Sequence, residues 1–202
     1  YFTFDLVYPG GVIKDVKCGV PGWVNVENSI AAAAICRSYG IEPEAIRKAI
    51  GTFSGVRRRL AIHLNTPGLS YIDDYAHHPK ELATAISSMR DIFPGRKITA
   101  VFQPHLYTRT RDFYLDFAKA LSMFDEVILT EIYPAREQPI PGVTSQLIYD
   151  NLRPGIEKQM IKKDDVLKFV KSRDFDVLEI LGAGNLDDYV PQIERLIEEK
   201  EK

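Results

Sequence analysis

The sequence predicts an α/β protein built on a mostly parallel, open sheet with helices on both faces, preceded by the tail of another domain. Three observations carry this expectation. From residue 56 onward, short apolar runs alternate with stretches of helical length and periodicity. Polar and ionisable residues gather directly after three of those runs, at DDYAHHP, QPHLYTRTR and GAGN, where sheets of this kind hold ligands beyond their carboxyl ends. Residues 1–55 have a different texture, with a hairpin pattern followed by two helical stretches.

Taken in order, Phe2, Phe4, Leu6 and Tyr8 share one face, Pro9-Gly10-Gly11 turns the chain, and a second run extends from Val12 to Val16. After Pro21-Gly22, NVENSIAAAAICRSYG reads as an alanine-rich helix closed by Gly40, and Pro43 starts a second helix over 44–50. A hairpin and two helices bury little apolar surface alone, and the chain opens without Met inside a strand pattern. It is therefore expected to be a piece of a longer protein. The texture turns extended at FSGVRRRL, which places a domain boundary near Gly55 and divides the chain into 1–55 and 56–202. Leu60, Ile62 and Leu64 then alternate, Asn65-Thr66-Pro67-Gly68 turns, and a strand returns from Leu69 to Ile72. Further helices are expected at 79–90, 111–121, 145–152, 165–171 and 187–199, and strands at 98–102, 127–130 and 177–181.

With 202 residues, 45% hydrophobic and 27% charged, the chain has the composition of a globular protein with a sizeable core. A formal charge of -2 provides no global field for nucleic acid or an anionic membrane, so neither is an expected partner. Cys18 and Cys36 are the only cysteines and suggest neither a disulfide framework nor a metal knuckle, which makes a reducing cytoplasm the default location. No apolar run approaches the length of a membrane span.

Within YIDDYAHHPKE, Pro79 fits the first helical position and Glu81 the third, where a carboxylate suits the positive helix end. A plain capping loop would use the same residues. Zinc on His77 and His78 would need Asp73, Asp74 or His105 as well, and the usual spacings are missing, so no metal site is expected. A carboxylate can instead accept from both vicinal hydroxyls of a ribose, and Asp74 is the better placed of the pair. In QPHLYTRTRD, His105, Arg109 and Arg111 occupy a loop entering a helix, where free backbone N-H groups would add to the attraction for a carboxylate or phosphate. The alternative is a solvated charged face, but Tyr75 and His77 at the neighbouring strand end favour one shared pocket. Asn25 and Asn28 stand at i and i+3 on one helical face. A carboxamide donates and accepts at once, as adenine recognition requires, and Asn25 serves equally as an N-cap. GAGN falls short of a dinucleotide fingerprint because Asp187 holds the third glycine position, and its glycines also suit a tight strand-to-helix turn.

Together, GVPGWVNVENSIAAAA, FSGVRRRL, YIDDYAHHPKE, VFQPHLYTRTRDF, EIYPAREQPIPGV and GAGN resemble the carboxyl-terminal part of the Mur ligases of peptidoglycan synthesis, over nearly the whole chain. QPHxYTRT and the PAREQPIPG segment are the most specific and point to the alanine-adding branch, whereas DYAH is shared by several branches. The resemblance implies a three-domain parent in which 1–55 ends the central ATPase domain and 56–202 is the Rossmann-like carboxyl-terminal domain. It implies an ATP-dependent, amide-forming ligase of the bacterial cytoplasm, using Mg2+, that joins L-alanine to UDP-N-acetylmuramate through an acyl phosphate. By the same resemblance, Asn25 and Asn28 lie near adenine, Asp74 at the ribose, and Arg58, in preference to Arg59, at the nucleotide. Tyr75, His105 and Arg109 face the amino acid and muramoyl end, with Arg109 on the alanine carboxylate. Leu106 stands where many members carry arginine, so Arg109 would act alone or with Arg111. The chain contains no GxxxxGK[ST] phosphate loop, and the magnesium ligands belong upstream. Activity is thus expected only with the missing N-terminal and central domains in cis. Two alternatives are a recycling ligase that adds a tripeptide to the same UDP-sugar and a non-catalytic nucleotide-binding domain.

Overall fold

The computed structural model describes residues 2–200. The chain forms two compact units, one running to Val56 and taking in Ser88–Pro94, the other made of Arg57–Ser87 and the chain from Gly95 onward.

In the first unit, β1 (Thr3–Tyr8) and β2 (Gly11–Lys17) pair antiparallel, and α1 (Trp23–Ser38) and α2 (Pro43–Thr52) follow. Pro43 occupies the start of α2, where its missing N-H would have had no helical partner anyway. Leu6, Ile13, Val16, Ala33 and Ile46 make a small core, while Val7, Trp23, Ile30 and Ile35 remain exposed. Gly22, with φ 91°, is the N-cap of α1. Asn25 therefore does not cap: it lies inside the first turn, and its carboxamide donates to the Pro21 carbonyl at 2.6 Å.

The second unit is a six-stranded sheet of β3 (Ala61–Asn65), β4 (Ser70–Asp74), β5 (Ile98–Phe102), β6 (Glu126–Leu129), β7 (Glu157–Met160) and β8 (Val177–Leu181), in the order β3-β4-β8-β5-β6-β7. β3 runs antiparallel to β4 and every other pairing is parallel. Of the remaining helices, α3 (Pro79–Ile92) begins in the second unit and ends in the first, and α4 (Tyr107–Leu121), α5 (Gln146–Asn151), α6 (Val166–Lys171) and α7 (Val190–Lys200) belong to the second. β4, β5, β6 and β8 are buried along their whole length, so their apolar residues run together rather than alternate, interrupted by the buried polar residues Ser70, Asp73, Asp74, Thr99, Glu126 and Glu179. On one face Tyr71, Val101, Ile128, Leu178 and Ile180 pack with Val166, Phe169 and Val170 of α6 and Ile193 and Ile197 of α7. On the other face, the ring of Phe102 meets that of Phe117 in α4 at 5.5 Å.

Three boundaries differ from the sequence expectation. α4 begins at Tyr107 rather than at residue 111, because Thr110 already bonds back to Leu106 through its N-H at 3.1 Å and its hydroxyl at 2.9 Å. β7, with the sequence EKQM, has no apolar signal; it is a largely exposed edge strand held by its pairing with β6. The last helix is preceded by a 3-10 turn over Leu186–Tyr189.

Glu179 departs from the apolar character of the sheet. It lies in the middle of β8, flanked in register by Ile72 and Ala100, and is fully buried. Neither carboxyl oxygen has a hydrogen-bonding partner among the described residues. Burial, reinforced by Asp74 and Asp73, raises its pKa well above the ordinary carboxylate value. The folded chain thus retains a proton that the unfolded chain releases above about pH 4.3. The resulting stability is fully present below that pH and declines as pH rises toward the folded pKa. Glu179→Met should therefore stabilise the chain by about 1–3 kcal/mol at pH 8, with a smaller gain at pH 4, as read by urea denaturation. A destabilised variant, or a gain with no pH dependence, would contradict this assignment.

Candidate functional site

The strand order brings the three polar segments together. β8 lies between β4 and β5, with Asp74 and Phe102 both paired in register to Leu181. DDYAHHP, GAGN and QPHLYTRTR consequently leave the sheet side by side at its carboxyl edge, around the point where the strand order reverses.

The segment before β3 is stapled to the end of β4. Leu60 N-H donates to one oxygen of Asp74 and Ala76 N-H to the other, both at 2.7 Å, and Tyr75 N-H donates to the Arg58 carbonyl at 2.7 Å. Arg58 and Leu60 have left-handed φ values of 59° and 47°. Conformations of this kind persist only where surrounding bonds enforce them. Asp74 is buried, and burial raises its pKa although the two backbone donors pull it down. Its first task is to hold this turn, and its remaining lone pairs are what it can offer a ligand.

The two arginines beside it differ in their commitments. The Arg58 guanidinium pairs with Asp187 at 3.1 Å, donates to the Gly182 carbonyl at 2.5 Å and lies 3.8 Å from Asp73. Burial pushes the Asp73 pKa up to about 6 against the pull of Arg58. Arg59 is exposed and stands over the Tyr75 ring at 5.4 Å, with Arg58 at 4.7 Å from the same ring.

GAGN has a packing explanation. At Gly182, with φ 132°, a Cβ would come within 2.7 Å of the Gln103 carbonyl oxygen, and at Gly184 it would strike the Gln103 side chain. Gln103 and Asn185 exchange two hydrogen bonds: Asn185 N-H donates to Gln103 Oε1 at 3.0 Å, and Gln103 Nε2 donates to Asn185 Oδ1 at 3.2 Å. The turn is thereby a support for the start of QPHLYTRTR.

Around that support lies a row of rings. Tyr75 meets His77 edge-on at 5.0 Å, His77 meets His105 at 5.9 Å, and His105 stacks on Tyr133 at 5.7 Å. Arg109 reaches into the row, with Nη1 at 3.5 Å from the His77 carbonyl and 3.4 Å from His105 Nδ1. Tyr75, His105 and Arg109, named from the sequence, are thus brought together with His77. Burial, then the charge of Arg109, lowers the His105 pKa, so the ring is neutral at neutral pH. His77 is oriented by its own Nδ1, 2.9 Å from the Tyr75 carbonyl and 3.3 Å from Glu81. Glu81 Oε2 also accepts from the N-H groups of His77 and His78 at 2.9 and 3.1 Å, the capping role expected of it.

Tyr133 and Glu137 complete the site and were not found from the sequence. Glu137 accepts from Thr108 N-H at 3.0 Å and from Thr108 Oγ1 at 2.5 Å. The Thr108 N-H at the start of α4 is therefore already occupied by an acidic side chain, contrary to the expectation of free donors for an anion. No local pattern signals a cap supplied by residues that far along the chain. Arg111 bonds to its neighbour Asp112 at 2.7 Å and is half exposed. Asn25 and Asn28 belong to α1 of the first unit, where Asn28 is exposed. Among the described residues no group of three or more His, Cys, Asp or Glu side chains is arranged to hold a metal ion.

Comparison with known proteins places the chain in a family. A family profile described as "Mur ligase, glutamate ligase domain" matches residues 58–184. The UDP-N-acetylmuramate-L-alanine ligase of Phocaeicola vulgatus is 53% identical over 197 residues, covering 98% of this chain and 43% of that protein. The enzyme of the same name from Porphyromonas gingivalis strain W83 is 48% identical over 199 residues, with 98% and 43% covered. Among solved structures, UDP-N-acetylmuramate-alanine ligase from Thermotoga maritima superposes with a TM-score of 0.74 at 30% identity, over 93% of this chain and 40% of that one. A pseudomurein peptide ligase type C from Methanothermus fervidus shares the fold at a TM-score of 0.70 and 20% identity, over 98% of this chain and 40% of its own. The chain spans under half the length of the curated relatives it matches. With the profile covering most of its length and the strand-end site in place, the chain belongs to the Mur ligase family.

Proposed function

We propose that this chain is the amino-acid-selecting and nucleotide-closing part of a bacterial, cytoplasmic ligase that joins L-alanine to UDP-N-acetylmuramate at the expense of ATP. The observation that carries the proposal is the placement of Arg109 between the His77 carbonyl and His105, inside a row of four rings. Its planar fork suits a small carboxylate better than a point charge would. In the proposed reaction the muramoyl carboxylate takes the γ-phosphoryl group of ATP, releasing ADP. The alanine amine then attacks the acyl carbon, phosphate leaves, and the amide forms with loss of one proton. A neutral His105 can accept a proton from the incoming ammonium, which must be deprotonated to attack. Magnesium supplies charge neutralisation on the phosphates in reactions of this class.

For the nucleotide, Asn25 and Asn28 are assigned to adenine and Asp74 to the ribose. The commitment of Arg58 to Asp187 and Gly182 supports giving the phosphate contact to exposed Arg59 rather than to Arg58. Residues 1–55 are assigned to the end of a central ATPase domain, in keeping with the exposed Trp23, Ile30 and Ile35 on α1. The names of the Phocaeicola vulgatus and Porphyromonas gingivalis relatives support alanine over a tripeptide as the added group.

The whole protein should release phosphate only with ATP, UDP-N-acetylmuramate and L-alanine together, and the present chain alone should not. Turnover that prefers a tripeptide to alanine would move the assignment to the recycling ligases. Arg109→Lys should already raise the alanine KM and Arg109→Ala should raise it further, by about 10- to 100-fold for loss of a charged hydrogen bond worth roughly 1.5–3 kcal/mol, with ATP affinity spared. Unchanged alanine kinetics in Arg109→Ala would remove it from the site. For the arginine pair, Arg59→Ala should raise the ATP KM and leave the melting temperature nearly unchanged, while Arg58→Ala should lower the melting temperature. The reverse pattern would restore Arg58 as the nucleotide contact.

A further inference from the structure

We infer that Glu137 is a positioning residue for the amino acid pocket: from the loop after β6 it fixes the first turn of α4, so that Arg109 is held against His105. The inference rests on the pocket being the alanine site proposed above, and it adds a residue that touches no substrate.

Leu106, the N-cap of α4, has φ 73° and ψ 135° and no side-chain group with which to cap the helix. Side-chain residues rarely adopt this backbone conformation, and it survives where flanking bonds over-determine it. Here both flanks are pinned by the same loop. On the upstream side, Tyr133 N-H donates to the Pro104 carbonyl at 2.8 Å, Leu106 N-H donates to the Tyr133 carbonyl at 2.9 Å, and the Tyr133 ring stacks on His105. On the downstream side, Glu137 receives the N-H and hydroxyl of Thr108.

The torsions of Leu106 set the angle between His105, just before it, and the turn that carries Arg109, just after it. The 3.4 Å approach of Arg109 to His105 therefore depends on that strained link staying as it is. Freeing the downstream pin would let Leu106 relax toward an ordinary φ and move the guanidinium away from the ring. A side chain on α4 itself could cap the helix equally well, but it would not tie the helix to the loop that carries Tyr133. Ala135, midway along that loop, also has a positive φ of 50°, so the loop's own path is strained to make the reach. The Glu137 carboxylate is stabilised in its charged form chiefly by the Thr108 hydroxyl and N-H, and Tyr107 N-H adds to this.

The test has two arms. In this chain, Glu137→Ala should abolish the hydrogen-exchange protection of the Thr108 amide. In the whole protein the same variant should raise the alanine KM about 10- to 100-fold, the scale expected of misplacing a binding group, and leave the ATP KM within about twofold. Glu137→Gln should recover most of the loss, because its carbonyl accepts from Thr108 N-H and its amide donates to the Thr108 hydroxyl. A protected Thr108 amide in Glu137→Ala, or an alanine KM equal to wild type, would overturn the inference. Equal losses in alanine and ATP kinetics without rescue by glutamine would overturn it too, leaving Glu137 a structural cap. Wild-type protein with no alanine-dependent turnover would refute the underlying functional proposal, a failure told apart by its appearance before any substitution is made.

Discussion

Insertion of β8 between β4 and β5 is the constraint from which the candidate site follows. The last strand in sequence takes the central place, so segments from three distant parts of the chain leave one edge of the sheet together. The insertion also sets the requirements on the GAGN turn. Gln103, at the end of β5, lies so close to Gly182 and Gly184 that a side chain at either would collide with it. The exchanged bonds between Gln103 and Asn185 then lock the two strand ends to each other. Gly182 therefore permits close approach to the Gln103 backbone and Gly184 to the Gln103 side chain, and their likeness to a phosphate-binding turn is secondary.

Around this edge, charged groups divide into those that hold the scaffold and those left for a ligand. Asp74 holds Leu60 and Ala76, Arg58 holds Asp187 and the GAGN carbonyl, Glu81 caps α3, and Glu137 caps α4. Under the proposed function, Arg59, Arg109 and the remaining lone pairs of Asp74 are what is left for the ligands. Buried or half-buried charges are costly unless paired, so a fold that concentrates this many at one edge restricts most of them to fixed partners. The few that remain are presented in a defined geometry, as the proposed selection of a small amino acid would require.

Much of the fold was legible in the sequence, because fully buried parallel strands leave continuous apolar runs and Gly and Pro punctuate the helices between them. β7 was not, since an exposed edge strand such as EKQM is defined by its neighbour's hydrogen bonds and not by its own hydrophobicity. The start of α4 was misplaced for a related reason: its cap comes from Glu137, outside any local window. In the site, Tyr75, His105 and Arg109 were visible as ionisable residues at strand ends. The different surroundings of Arg58 and Arg59 were not, because adjacent arginines look alike until their partners are known: both stand near the Tyr75 ring, but Arg58 also pairs with Asp187 and the Gly182 carbonyl, whereas Arg59 is exposed. The motifs identified the family, but which of two neighbouring residues is tied into the scaffold depended on φ values and partners.

The central claim is that the row of rings at the carboxyl edge of the sheet receives the carboxylate of alanine through Arg109. A crystal structure of the whole protein with L-alanine, UDP-N-acetylmuramate and a non-hydrolysable ATP analogue tests this most directly. The claim predicts the alanine carboxylate within hydrogen-bonding distance of both terminal nitrogens of Arg109, with the amine on the His105 side. An alanine carboxylate bound elsewhere, with Arg109 still turned to the His77 carbonyl, would contradict it.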